Sequence, residues 1–234
     1  MRWLPVPALV LAACASAGNP ADEPPIDGPS GGGEPLPIDG PSADAAPQPA
    51  NLSQNTSTTP NSTRLGCADL AGLTNENSYY RVFSLADHGI TGSYEVQSVT
   101  FAVNFADGGG SSQPAQVKIG RYTGTPGGLT LSLADIVPIK SVSISIPDGS
   151  TSITTPIKGV VPPGGHLIVE LAIPDGGANG NEFFVGSNGA GESKPGYLRA
   201  PSCGDAVPKS MNAIAADNGI GKVDLIMTVN GVRY

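Results

Sequence analysis

Apolar and polar residues alternate strictly in several separate runs of this chain, and that period of two limits the fold more than any other feature. Val99, Phe101, Val103 and Phe105 are interleaved with Thr100, Ala102 and Asn104. Val142, Ile144 and Ile146 alternate with serines, Leu167, Val169, Leu171 and Ile173 form a third face, and Val223, Leu225, Met227 and Val229 a fourth. Successive side chains of an extended strand point to opposite sides, so each run reads as a strand with one buried face. Tyr79–Phe83, Ala115–Tyr122, Leu129–Leu133, Ser152–Val160 and Glu182–Ser187 add five more, about nine strands in all. Turn-forming pairs such as Asp107-Gly108, Asp148-Gly149 and Asp175-Gly176 separate them. No stretch between them keeps helical spacing beyond two turns. The expectation is an all-β, antiparallel β-sandwich, with a jelly roll as its topology.

The first 64 residues read differently. Arg2 precedes a short apolar run through Leu11, too short to cross a bilayer as a helix and suited to an export signal, residues 1–13. The next residues, Leu11-Ala12-Ala13-Cys14, resemble the lipobox of bacterial lipoproteins. That resemblance implies that Cys14 carries a diacylglycerol and becomes the first residue of the mature chain. Ala15 stands where an aspartate would signal inner-membrane retention, so the resemblance implies the outer membrane, or the plasma membrane in a Gram-positive host. Ala15-Ser16-Ala17 also fits ordinary signal peptidase, which leaves secretion after Ala17 as the alternative.

From Gly18 to Pro60 there are ten Pro and six Gly in 43 residues, with no apolar periodicity. Such a composition buries too little surface to offset ordering entropy, so residues 14–64 are expected to be a disordered linker and residues 65–234 the sandwich domain. As a flexible coil the stretch from Gly18 would span about 35 Å, and as polyproline more than about 130 Å. PIDGPS occurs twice, at Pro25–Ser30 and Pro37–Ser42, as a low-complexity repeat. Asn51-Leu52-Ser53, Asn55-Thr56-Ser57 and Asn61-Ser62-Thr63 match the N-glycosylation pattern and read here as polar spacer.

Charge excludes one class of partner. Lys and Arg total 12 against 20 for Asp and Glu, with no basic cluster, so the chain offers a nucleic-acid backbone nothing to hold. Three cysteines leave an odd one. Cys67 and Cys203 bracket the strand-rich region and are expected to form a disulfide, while Cys14 is accounted for by lipid.

Asn181-Glu182-Phe183-Phe184-Val185-Gly186-Ser187-Asn188, Tyr197-Leu198 and Cys203-Gly204, with Tyr79-Tyr80-Arg81-Val82-Phe83 and Gly89-Ile90-Thr91-Gly92, resemble β-sandwich modules of secreted bacterial multidomain proteins. The resemblance implies a fold and an extracellular setting and names no ligand.

Candidate chemistry is sparse. His88 and His166 have no ligand-spaced neighbours. Asp175, Asn179, Asn181 and Glu182 form the densest set of hard oxygens and are the candidates for a calcium site. The mature chain has no tryptophan, since Trp3 lies in the signal, which speaks against a flat platform for crystalline polysaccharide. Tyr197, beside Asn188 and Arg199, is the candidate for contact with a sugar. The expected function is therefore a lipid-anchored binding or adhesion module that recognises a glycan, peptide or envelope component through loops at the sandwich end, with no cofactor besides calcium. The alternative is an accessory envelope lipoprotein whose partner is an envelope protein. A hydrolase using carboxylates such as Glu170 and Glu182 ranks last.

Overall fold

A computed structural model describes residues 46–110 and 112–234, and the export signal, Cys14 and both PIDGPS repeats lie outside the described residues. Thirteen strands are present among the described residues: β1 (Gln48–Leu52), β2 (Asn77–Ser84), β3 (Tyr94–Asp107), β4 (Ser112–Tyr122), β5 (Ile136–Pro147), β6 (Ser152–Val161), β7 (His166–Ile173), β8 (Glu182–Val185), β9 (Ser187–Asn188), β10 (Gly196–Ala200), β11 (Asp205–Ser210), β12 (Asp224–Leu225) and β13 (Met227–Arg233). One short helix, α1 (Met211–Asp217), sits between β11 and β12.

All pairings are antiparallel. One sheet runs β1-β13-β3-β6, with β8 also on β3, and the other runs β11-β10-β2-β7-β4-β5. Residues 174–226 aside, the chain crosses between sheets at β1 to β2, β2 to β3, β3 to β4, β5 to β6, β6 to β7 and β7 to β13. That is a jelly roll of eight strands. Residues 174–226 are an insertion before its last strand, adding β10 and β11 to one sheet and closing a flank with β9, β12 and α1.

The core lies between the sheets, where the alternating runs meet. Val99, Phe101 and Val103 of β3, Leu167, Val169, Leu171 and Ile173 of β7, and Met227 and Val229 of β13 are all buried in it. A register shift between Val103 and Phe105 breaks the alternation on β3. Ala106 takes the core position, and Phe105 turns out to the sheet surface opposite Phe184, under the Arg64 guanidinium 4.6 Å from its ring centroid. The strands that end the two main sheet paths each carry a proline, Pro49 on β1, Pro138 and Pro147 on β5, Pro156 on β6 and Pro208 on β11, whereas β8 has none. Proline cannot donate to a ladder, so these edges resist pairing with another chain.

Three expectations are corrected. The sandwich does not begin at residue 65: β1 lies inside the stretch read as linker, pairs with β13 from Gln48↔Arg233 to Leu52↔Val229, and buries Leu52 fully. Residues 53–64 then cross the flank as a strap, with Thr56 N–H donating to Gly191 O and Asn61 N–H to Ser187 O, so all three Asn-x-Ser/Thr sites belong to the folded unit rather than to a spacer. Strand β1 holds by backbone bonds and one apolar side chain, which leaves no pattern in its sequence. The count of nine strands also falls short, because β10 and β11 were missed, and Leu129–Leu133 is a covering loop touching β11 through one bridge, Thr130↔Lys209. Cys67 and Cys203 are joined as expected. The bridge ties the entry to β2 to the turn between β10 and β11.

Candidate functional site

The solvent side of the six-stranded sheet changes chemistry row by row, because cross-strand register stacks like with like. One row reads Arg199, Ser78, Ala172, Gln116, Ser143 across β10, β2, β7, β4 and β5. The next reads Tyr197, Tyr80, Glu170, Lys118, Ser141, and the third, from β2, reads Val82, Ile168, Gly120, Pro138. The first row is polar, the second is centred on an ion pair, and the third is apolar.

Two hollows follow from this layout and meet at the Lys118–Glu170 pair. A mixed trough of about 420 Å³ is lined by Glu76, Ser78, Gln116, Ser143 and Arg199 together with that pair, and by the apolar Pro114, Ala115, Ile144, Ala172, Ile173 and Pro174. An apolar cup of about 390 Å³ is lined by Ile136, Pro138, Ile139, Ile168, Gly120 and Lys140, again with the pair. Lys118 Nζ lies 3.1 Å from Glu170 Oε1, and Arg199 Nη1 lies 2.5 Å from Glu76 Oε1. Arg199 Nε also donates to Ala206 O at 3.2 Å, which fixes its plane. Each cation in the trough is thus matched by a carboxylate, and the surface is polar without a net charge of one sign. Five strands at the usual spacing of about 4.8 Å make the trough about 19 Å long.

The far side of this face is covered. Tyr80, Val82, Tyr122, Leu131, Ile168 and Tyr197 form a second, smaller core beneath residues 123–135, with Ile136 packed against it. Tyr197 is 1% exposed, and its hydroxyl donates to Gly128 O at 3.0 Å. Burial pushes its phenol up to about 12, against weaker lowering by a backbone bond. It offers no ring face to a sugar, contrary to expectation, since the 123–135 loop occupies that face. Asn188 is likewise committed: its Nδ2 donates to Ser57 O and Thr59 O, and its Oδ1 accepts from Ala190 N. Of the three expected sugar contacts, only Arg199 lines the trough.

The residues expected as calcium ligands have other partners or positions of their own. Asp175 Oδ1 accepts from Gly177 N at 2.8 Å as an ordinary turn cap, while Glu182 lies on β8 with Oε1 3.9 Å from Arg64 Nη1. Asn179 is exposed, and Asn181 is buried with its Oδ1 unpartnered. No group of three His, Cys, Asp or Glu residues stands close enough to share a metal among the described residues. Glu170 and Glu182 lie on different sheets, Glu170 on the trough face and Glu182 beside Asp107. His166 pairs across to Ser84 and Tyr122, and His88 packs beside Phe83, where burial lowers its basicity.

Sequence reading missed one cluster entirely. Arg81 occupies an inward position of β2 between Tyr79 and Phe83 and is fully buried. Its Nη1 donates to Gln54 Oε1 and Lys194 O, and its Nη2 to Glu192 Oε2 at 2.8 Å and to Leu225 O. Asn212 Nδ2 bridges Glu192 Oε1 and Asp224 Oδ1, and Asp224 Oδ2 accepts from Gly191 N. Desolvation raises Glu192 above the usual carboxylate range despite Arg81 beside it. This network joins the strap, β2, β12, α1 and the loop before β10. Gly196 makes room for it, since a Cβ there would lie 2.5 Å from Leu225 Cβ and 3.5 Å from Arg81 Nη2. The alternation Tyr79-Arg81-Phe83 was the signal that could have revealed it.

These features define a jelly-roll sandwich with an open trough on one sheet face. No family model matches the chain, and no curated relative does. Among solved structures it is similar to the cysteine protease and lectin-like domains of Cwp84, a surface layer associated protein of Clostridium difficile, at 11% identity and a TM-score of 0.47, over 69% of this chain and 33% of that one. It is also similar to the clostridial cysteine protease Cwp84 after propeptide cleavage, at 11% identity and a TM-score of 0.49, over 80% of this chain and 40% of that one. The chain therefore spans less than half the length of either solved chain.

Proposed function

We propose that this protein is a non-catalytic binding module of the cell envelope that holds a neutral, hydroxyl-rich chain, a soluble glycan, along the trough of its six-stranded sheet. The observation that carries the reading is the composition of that surface. The Ser143 hydroxyl, the Gln116 amide and two internally balanced acid–base pairs supply donors and acceptors without a net field, above the buried Ser78. A polyol is matched by such a surface, whereas a polyanion needs unbalanced cations. No ring lies open on the trough floor, where Tyr80 is buried, so a single chain fits better than a crystalline face. The ligand surface is then the sheet face rather than the sandwich-end loops.

The setting rests on different residues. A disulfide closing 136 residues fits an oxidising, exported location. Cys14 would add lipid attachment, and Cys14→Ser should then move the protein from the membrane fraction to the soluble one, an unchanged distribution refuting the anchor. For the ligand, thermal shift of the full chain against soluble oligosaccharides should give a saturable stabilisation that Arg199→Ala weakens. A flat result across the panel would favour the accessory reading, with an envelope protein as partner.

A further inference from the structure

The apolar cup beside the trough, about 390 Å³, opens on the same ion pair. Ile136 and Pro138 wall it above the buried Ile168, Ile139 lines it from the side of the main core, and Ser141 stands at its rim. Lys118 is held by Glu170 at 3.1 Å on the outer face, where Ser141 stands opposite it on β5, whereas Lys140 stands opposite the core residue Ile119. An unsubstituted glycan in the trough would leave this hollow filled with water against apolar walls. A group with a small apolar body and a carbonyl oxygen would instead displace that water and offer the Ser141 hydroxyl, which shares the outer face with Lys118, an acceptor.

Resting on the glycan reading of the trough, we infer that the site is selective for an acylated glycan, with an acetyl or acetamido substituent seated in the Ile136–Pro138–Ile168 cup. The backbone of the sugar lies along the Arg199–Ser143 row, and the substituent crosses the Lys118–Glu170 pair into the cup. The pair acts as the divider between the two hollows, its charges facing the polar chain and its methylenes facing the acyl group.

The test compares two neutral tetrasaccharides that differ only at C2 of each unit, cellotetraose with a hydroxyl and tetra-N-acetylchitotetraose with an acetamido group, titrated calorimetrically into the full chain. Burial of a methyl with its carbonyl satisfied should favour the acetamido ligand about tenfold, or ~1.4 kcal/mol. Ser141→Phe, on the exposed edge strand β5, projects a ring into the cup and should bring the two affinities together while leaving the thermal midpoint in place. Equal affinities in the unaltered protein, or tighter binding of cellotetraose, would overturn the acyl reading and leave the glycan reading standing. Binding of neither sugar would overturn both.

Discussion

Arg81→Ala tests the buried network, and its cost can be worked from the contacts. The substitution removes the cation beside Glu192 and strips donors from Gln54 Oε1, Lys194 O and Leu225 O. Removing one partner of a buried pair typically costs about 3–5 kcal/mol, because the remaining charge is left in an apolar medium. For a unit of this size, about 2–4 °C per kcal/mol lowers the thermal midpoint by about 6–20 °C. The pH dependence gives a second reading with a definite sign. Folding raises Glu192 above its ordinary value, so between the ordinary value and the raised one the folded state holds a proton there that the unfolded chain has released. The stability contributed by Glu192 is therefore fully present below the ordinary carboxylate range and is lost as pH rises through the raised value. Without Arg81 the carboxyl is raised further, and the variant should recover part of its loss on mild acidification. Denaturant unfolding at several pH values, with the disulfide intact, measures both. A loss below about 1 kcal/mol at neutral pH, or a deficit that deepens on acidification, would refute the reasoning.

Other outcomes follow from the same structure. Replacing Cys67 and Cys203 by alanine together opens a loop spanning 136 residues, and the chain-entropy account puts the loss at about 5 kcal/mol. Reductant should lower the midpoint of the parent protein comparably and leave the double variant unchanged. A chain started at residue 65 lacks β1, Leu52 and the strap that carries Gln54, so it should unfold with far lower cooperativity than one started at residue 46. Equal denaturation curves would place β1 outside the cooperative unit.

The parts of the fold legible in sequence are those where one face is buried and the other wet. Strands β3, β5, β6, β7 and β13 announce themselves by alternation, and the cysteines by their positions. Strand β10 does not, because Tyr197 is covered by the 123–135 loop while Leu198 and Ala200 face the main core, so both faces are apolar. Strand β1 is hidden by prolines and by dependence on β13 for its backbone bonds. The trough was out of reach for a different reason. Its residues come from β10, β2, β7, β4 and β5 and are neighbours only through register, which no single stretch encodes. Tyr197 drew attention as an aromatic among polar residues, yet the loop that buries it lies about 70 residues earlier in the chain.

The central claim, that ligand is held on the outer face of the six-stranded sheet, is tested most directly by mapping amide chemical shifts of the labelled protein during titration with a soluble tetrasaccharide. The account predicts saturable shifts concentrated at Ser78, Gln116, Lys118, Ser143, Glu170 and Arg199. Shifts concentrated instead in the loops at the sandwich ends, around Asp107 or Asp175, would contradict it.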